Sequence, residues 1–395
     1  MNRGLKIRLY PNEHQVQMIR RTAGACRYVY NKGLEWKEAA YKADGTCLTY
    51  SDLANAIVQM KRTLPWLKEA ESSSLQQSLR ALLRAYENFF RNPGQYGHPC
   101  FKSKRSGRIS YTMPVNNGNI QILNKQAVKL PKLGTVKAKV HRIPDKTWVL
   151  KSVTVSMEGD ETCYASFLYE CPEGMSCSGI QRRCRLYLRR MHLLGRAIGL
   201  DYKSDGLYMD SNGHVCGSPK YYRCNEKKLA RAQRRLSRKQ GARKGEIPSN
   251  NYKKQQRKLS KIHRKIRDSR KDHLHKESRR IANSYEIVCV EDLNMKAMSD
   301  RSFRGGKSTL DNGWGMFLTM LEYKLKERQG YLVKVSRWYP SSQRCSVCGK
   351  IESSVKDLSI RKWICPVCGA QHDRDWNAAV NILQEGLRLM KEETA

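Results

Sequence analysis

The 395 residues suffice for two or three folded domains, and 75 Lys and Arg against 36 Asp and Glu leave a net charge of +39. An excess that large goes beyond what solubility asks and points to a polyanionic partner, DNA or RNA. No run of about 18 apolar residues occurs, and the start MNRGLKIRLYP has no apolar signal core, so membrane-spanning and secreted classes are set aside and a cytoplasmic protein is expected. Of the 14 cysteines only the last four carry metal-like spacing, which fits a reducing compartment better than a disulfide framework.

In chain order, Lys6 to Tyr10 alternates as a strand, and Asn12 is placed to cap a helix with Gln15 reciprocating. That helix carries Val16, Ile19, Ala23, Tyr28 and Tyr30 with Arg20, Arg21 and Arg27 interleaved. A nucleic-acid clamp and a core stripe with a solvated basic face are equally consistent with this pattern. Ser51 to Met60 and Ser73 to Phe90 read as further helices, the second with a Leu75, Leu79, Leu82, Leu83, Tyr86, Phe90 stripe. After Phe101 the period falls towards two through IQIL, AVKL, TVKAKVHRI, WVLKSVTVSM and TCYASFLYE, so short strands around inserted helices predict a β-barrel. Residues Cys171 to Arg196, with Pro172, Gly174, Gly179 and many arginines, read as a linker closing a first domain near 195.

A new core begins at Ala197, where AIGLD is a short buried strand ending on Asp201, followed by an Asn212-Gly213 hairpin step. From Arg223 to Arg280 there are 23 Lys and Arg against 5 acids, a local +18. Leu229, Leu236, Leu259, Ile262 and Ile266 sit at helical spacings there, so two basic amphipathic helices broken at Gly241 to Asn251 are expected to hold a phosphate backbone. Tyr285 to Glu291 is a core strand ending on an acid, and strand alternation puts Glu291 on the face of Cys289 and Ile287 while turning Asp292 away. A helix over Trp314 to Glu327, a strand over Tyr331 to Val335 and a closing helix over Asn377 to Met390 complete the chain.

Two Cys-x-x-Cys pairs, Cys345/Cys348 and Cys365/Cys368, have the spacing of a structural zinc ribbon. Four thiolates leave no open position on zinc, so His372 is not needed as a ligand and the ribbon serves to position the stretch HDRDWNAA. Asp201, Glu291 and Asp375, each at a strand end or helix start, form the oxygen set that two Mg²⁺ ions about 4 Å apart require for in-line phosphodiester hydrolysis. Asp373 is assigned a capping or supporting role instead.

The blocks LKIRLYPNEHQ, GACRYVYNKGLEW, FKSKRSGRISYTMP, VCVEDLNM, YPSSQRCSVCG and CPVCGAQHDRDWNAAVNIL, in this order, resemble the TnpB (OrfB) family of insertion-sequence proteins, relatives of type V CRISPR effectors. The resemblance implies an RNA-guided DNA endonuclease of the prokaryotic cytosol or nucleoid, with a transposon-end guide RNA, a double-stranded DNA target beside a short element motif, and no membrane partner. It implies a multidomain α/β and β-barrel fold. Residues 1–195 would be a wedge β-barrel with an inserted helical recognition region at about 12–95, and 196–395 a RuvC-like domain of RNase H fold carrying the basic pair 223–280 and the zinc ribbon 340–372. Asp201, Glu291 and Asp375 match the three RuvC acids, although Lys203 stands where the commoner motif has glycine. Arg231, Arg234, Arg235, Arg238, Lys254, Arg257, Lys261, Arg264 and Arg270 are the expected nucleic-acid contacts. A nuclease-inactive RNA-guided repressor and a DNA transposase are the alternatives, the first opposed by the presence of all three acids.

Overall fold

The computed structural model describes residues 2–103, 109–172, 196–239, 249–300 and 305–392. These fall into two compact units, 1–173 with 241–260 and 174–240 with 261–395. The linker expected at Cys171 to Arg196 and the break expected at Gly241 to Asn251 lie almost wholly outside the described residues.

The first unit opens with β1 (Asn2–Tyr10), whose burial alternates from Leu5 to Leu9 as a half-buried strand should. Helix α1 (Glu13–Asp44) starts at Asn12, which accepts from Gln15 N while the Gln15 side chain accepts from Asn12 N, and it ends at Gly45 with φ 76°. Helices α2 (Tyr50–Thr63) and α3 (Ser72–Arg91) follow, and Leu75, Leu79 and Leu82 of α3 are fully buried. A Cβ on Gly33 of α1 would stand 2.9 Å from Leu79, so the two helices approach closely there.

The remaining strands of the unit are β2 (Ile109–Pro114), β3 (Gln121–Ile122), β4 (Ala127–Leu130), β5 (Gly134–Lys139), β6 (Val149–Met157) and β7 (Cys163–Glu170). They form one seven-stranded sheet in the order β2-β6-β7-β1-β5-β4-β3. Among the described residues β2 and β3 are edges with no hydrogen bonds between them, so the expected barrel is an open sheet by its ladder. The edge strand β3 is only two residues long and pairs with β4 at two positions, so it offers little backbone for a further ladder.

The second unit is built on a five-stranded sheet of order β10-β9-β8-β11-β12, from β8 (Ala197–Tyr202), β9 (Tyr208–Asp210), β10 (Val215–Cys216), β11 (Ile287–Glu291) and β12 (Tyr331–Val335). The meander β8-β9-β10 is antiparallel, with Gly213 at φ 84° in its turn, whereas β8, β11 and β12 run parallel. Helix α4 (Tyr221–Ser237) and helix α5 (Asn250–Ser284) lie between β10 and β11 in sequence. Short helices α6 (Met295–Met298) and α7 (Gly306–Asn312) then lead into α8 (Trp314–Glu327), and α9 (Arg374–Glu392) closes the unit.

Strand parity divides the sheet into two faces. Ile198, Leu200, Val288 and Val290 pack with Trp314, Phe317, Leu321 and Leu325 of α8, while Ala197, Ile287, Cys289, Val333 and Val335 pack with Ile382 and Met390 of α9. On the α9 face small residues set the spacing: a Cβ on Gly199 would stand 2.1 Å from Ala379 O, and one on Gly386 would stand 2.4 Å from Cys289 Sγ. Gly199→Ala should therefore lower the stability of this unit by about 1–3 kcal/mol, because the obstacle is backbone that cannot rotate away. Chemical denaturation monitored by tryptophan fluorescence reads this, and an unchanged midpoint would show that α9 is free to shift.

Candidate active site and four-thiolate centre

The same parity carries two acids to one place. Asp201 continues the face of Ala197 and Gly199, and Glu291 continues the face of Ile287 and Cys289. The parallel register pairs Cys289 with Gly199 and Val290 with Leu200, so the next level sets Glu291 beside Asp201 at the strand ends. The third acid comes from α9. Ala379 sits on Gly199, and Asp375 lies one helical turn before Ala379, at the same edge of the sheet as Asp201.

Electrostatics record the convergence. Burial, and then the negative charges of Glu291 and Asp375, push the Asp201 carboxyl well above the ordinary carboxylate range, with Arg374 and Lys203 opposing. Burial pushes Glu291 up to about 7. Asp292 points away, pairing with Arg337 at 3.1 Å on the surface. Asp373 takes the place of a helix cap, its Oδ1 accepting from Asp375 N and Trp376 N, each at 3.1 Å.

Asp375 itself is held by two cations. Lys203 Nζ donates to its Oδ2 at 2.6 Å and Arg361 Nη1 to its Oδ1 at 3.3 Å. Burial opposes the charge on Lys203, but the hydrogen bond and charge of Asp375 outweigh it and raise the ammonium above its ordinary value. The Lys203 backbone is fixed as well, since Asn312 Nδ2 donates to Lys203 O at 3.2 Å and to Ser204 O at 3.0 Å. Sequence reasoning marked Lys203 as a departure from a motif without seeing its partner, and it missed Arg361 altogether; nothing in the spacing of either residue announces the contact.

The ribbon carries β13 (Lys362–Ile364) and β14 (Gln371–Asp373), paired antiparallel. The sulfurs of Cys345, Cys348, Cys365 and Cys368 lie within 4.8 Å of one another, with Cys345–Cys368 and Cys348–Cys365 at 3.6 Å. A tetrahedron with zinc–sulfur bonds of about 2.3 Å has an edge of roughly 3.8 Å, so the quartet fits one structural zinc. His372 Nε2 lies 3.0 Å from Cys345 Sγ and can donate to that thiolate, as an outer partner fixing a ligand.

The ribbon is tied to α9 by asparagines. Asn377 Nδ2 donates to Arg344 O at 2.7 Å and its Oδ1 accepts from Ser346 N at 3.0 Å, while Asn381 Nδ2 donates to Ser341 O at 2.8 Å and Arg344 O at 2.6 Å. These bonds join the turn that carries Cys345 and Cys348 to the helix that carries Asp375. The sequence places HDRDWNAA beside the ribbon, but nothing in its spacing announces these asparagine contacts.

The basic residues divide into two groups. Arg231, Arg234, Arg235, Arg238, Lys254 and Lys261 are exposed. Arg270 instead pairs at 3.0 Å with Asp311, a carboxylate only 1% exposed that also accepts from Tyr222 N and Arg223 N at the start of α4. In the first unit Arg257 pairs with Glu161 at 2.6 Å, and Arg264 also has a partner. The expectation that Arg270 contacts nucleic acid thus meets a competing structural role, which fixes α4 against α5.

Fold and site together define a protein with a mixed α/β sheet, a carboxylate cluster at its strand ends and a four-thiolate ribbon beside it. Three family descriptions match along the chain: "Helix-turn-helix domain" at 1–46, "Probable transposase" of the OrfB/IS605 type at 190–302 and "Cas12f1-like, TNB domain" at 314–382. The chain is 34% identical over 98% of its length, and 90% of the relative's, to a Streptomyces pristinaespiralis protein named "Putative RNA-guided DNA endonuclease". It is 33% identical over 96% of its length, and 91% of the relative's, to the Escherichia coli K12 protein "Putative RNA-guided DNA endonuclease InsQ". This chain belongs to the TnpB (OrfB) family.

Among solved structures, a Cas12f1 chain from a complex with sgRNA and target DNA superposes with TM-score 0.52 at 14% identity, covering 97% of this chain and 98% of that one. The mini-RNA-guided endonuclease Cas-phi3 gives 0.51 at 8% identity, covering 98% and 92%. These likenesses are of fold alone. The segment 1–46, matched as a helix-turn-helix, is here a strand followed by one unbroken 32-residue helix.

The raised acids make a pH prediction for protein kept free of added Mg²⁺. A carboxyl that gains proton affinity on folding contributes stability below its unfolded pKa and loses it as pH rises through the folded one. Glu291 should therefore contribute a loss of stability between about pH 4.5 and 7, and Glu291→Gln should remove that contribution, leaving the variant's profile less steeply falling than the wild type's. Denaturant melts at a series of pH values check this, and a wild-type curve no steeper than that of the variant would contradict it. For the ribbon, Cys345→Ser or Cys368→Ala should lower zinc from one ion per chain to none by elemental analysis, and retention of the full ion would exclude a four-thiolate site.

Proposed function

We propose that this chain is an RNA-guided DNA endonuclease that cuts double-stranded DNA beside a short element motif, using a guide RNA from the transposon end. The observation that carries the reading is the convergence of Asp201, Glu291 and Asp375 in a chain matching, over nearly its whole length, relatives that bear this name. The sheet order, an antiparallel meander followed by two parallel strands, supports a RuvC-like domain of RNase H type. We read 1–195 as the target-adjacent and guide-holding part and 196–395 as the nuclease part.

The three acids suit a hard divalent cation: they are oxygen donors, mutually repelling and desolvated, a state that a bound positive charge relieves. Asp201, Glu291 and Asp375 would hold Mg²⁺ as a pair of ions. When bound, Mg²⁺ supplies an activated water and stabilises the leaving 3′ oxygen. Asp373 holds the start of α9, and Asn377 and Asn381 hold the zinc ribbon against that helix, so the chain presents Asp375 at a fixed position. The exposed arginines and lysines of α4 and α5 hold phosphate backbones, leaving sequence discrimination to base pairing. A transposase would use the same acids but join the ends it makes, which a product assay separates.

The test begins with RNA that copurifies with the chain from cells carrying the flanking element DNA, sequenced and used to program a matched target. Asp201→Ala, Glu291→Gln and Asp375→Ala should abolish cleavage and keep guide and target binding, whereas Asp373→Ala should keep measurable cleavage. An active Asp375→Ala beside an inactive Asp373→Ala would reverse the assignment.

Binding has its own prediction. Replacing Arg231, Arg234, Arg235, Arg238, Lys254 or Lys261 should reduce the log–log salt slope by about one unit or somewhat less for each phosphate that the side chain neutralises. Arg270→Ala should act instead by lowering the melting temperature, because it removes the cationic partner of a buried carboxylate and leaves only backbone N–H donors on it among the described residues. An unchanged slope after several replacements would show these faces to be merely solvated.

A further inference from the structure

The sequence left open whether the aromatic and basic residues of α1 form a core stripe or a clamp, and the structure divides them. Ile19, Ala23, Val29 and Tyr30 are buried in the core of the first unit. Arg21, Gly24, Ala25, Tyr28 and Asn31, on a different face of the helix, line a cavity of about 570 Å³ whose opposite wall is Trp66, Glu69 and Ala70. We propose that this cavity binds a single unpaired nucleotide of a bound polynucleotide strand, its base against Tyr28 and Trp66 and its phosphate on Arg27.

Four observations support the assignment. Tyr28 and Trp66 meet edge to face with centroids 5.2 Å apart, and Trp66 is 42% exposed, so the two rings form an open aromatic corner. Every base offers a π-face to such a corner, whatever its sequence. Arg27, which also lines the cavity, has no hydrogen-bond or ion-pair partner among the described residues, whereas Arg21 is neutralised by Glu69 at 3.0 Å. The wall thus carries a net charge of one, which matches a single phosphodiester and not a free triphosphate.

The fourth observation is Gly24. Glycine in mid-helix costs about 1 kcal/mol relative to alanine. A Cβ at Gly24 would meet nothing within 4 Å, unlike at Gly33 on the same helix, so close packing does not account for the glycine. The glycine leaves that part of the cavity wall without a side chain.

The inference rests on the reading of this chain as a polynucleotide-binding protein, and it adds a nucleotide site in the first unit. Its test uses the full-length protein with oligonucleotides bearing 5-iodouridine (RNA) or 5-iodo-deoxyuridine (DNA), photocrosslinked and mapped by mass spectrometry. Crosslinks are expected on the peptides carrying Tyr28 or Trp66, in the RNA arm if the nucleotide belongs to the guide and in the DNA arm if it belongs to the target. Gly24→Leu, which fills the cavity with a better helix former, should melt no lower than the wild type, retain total oligonucleotide binding and lose about tenfold in yield at those peptides. Should that variant melt lower, Arg27→Ala decides in its place, with the same expected loss. Crosslinks confined to other peptides, or an undiminished yield in the variant, would overturn the site while leaving the polynucleotide reading intact. Absence of any retained oligonucleotide would overturn both.

Discussion

The carboxylate site depends on how closely helix α9 lies on the sheet at Gly199. With no side chain there, the carbonyl of Ala379 comes within 2.1 Å of where a Cβ would stand, and Asp375, one turn earlier on the helix, arrives beside the ends of β8 and β11. Gly386 repeats the device against Cys289 further along the helix. Small residues at the two crossings therefore set the separation of three acids contributed by segments far apart in the chain. The four-cysteine ribbon is tied to the same helix through Asn377 and Asn381, so the ribbon bears on where an acid stands without itself belonging to the carboxylate cluster.

Bringing acids together has an electrostatic cost that the fold does not hide. Asp201 and Glu291 both have raised proton affinity, and Asp375 is matched by Lys203 and Arg361. Surface lysines and arginines seldom contribute much through single ion pairs, but Lys203 is anchored by Asn312 at its backbone and meets its partner in a largely shielded position. The site is thus a balance of repulsion among acids and attraction to two cations, the shielded Lys203 and the exposed Arg361. Such a balance responds strongly to any further positive charge.

Much of this was legible in the sequence because it follows from period and spacing. Strand alternation separates Glu291 from Asp292, the cysteine spacing defines the ribbon, and the Asn12–Gln15 pair marks the start of α1. What escaped was whatever depends on residues meeting across space without a local signature. The ladder of the first unit is an open sheet that ends on a two-residue β3, which alternation in IQIL did not reveal. Arg270 looked like its neighbours on a basic helix, yet it is committed to Asp311, 41 residues away. Arg361, Asn377 and Asn381 carry contacts that composition cannot assign, and Tyr28 and Tyr30, two residues apart, go to a cavity wall and to the core.

The central claim is that Asp201, Glu291 and Asp375 form one cation site distinct from the four-thiolate centre. Anomalous diffraction from crystals of the full chain soaked in manganese tests it most directly, since manganese prefers oxygen ligands and is distinguished from zinc by its absorption edge. The account predicts manganese peaks bounded by these three carboxylates and a separate zinc peak among Cys345, Cys348, Cys365 and Cys368. Manganese peaks elsewhere, with none touching Asp375, would contradict it.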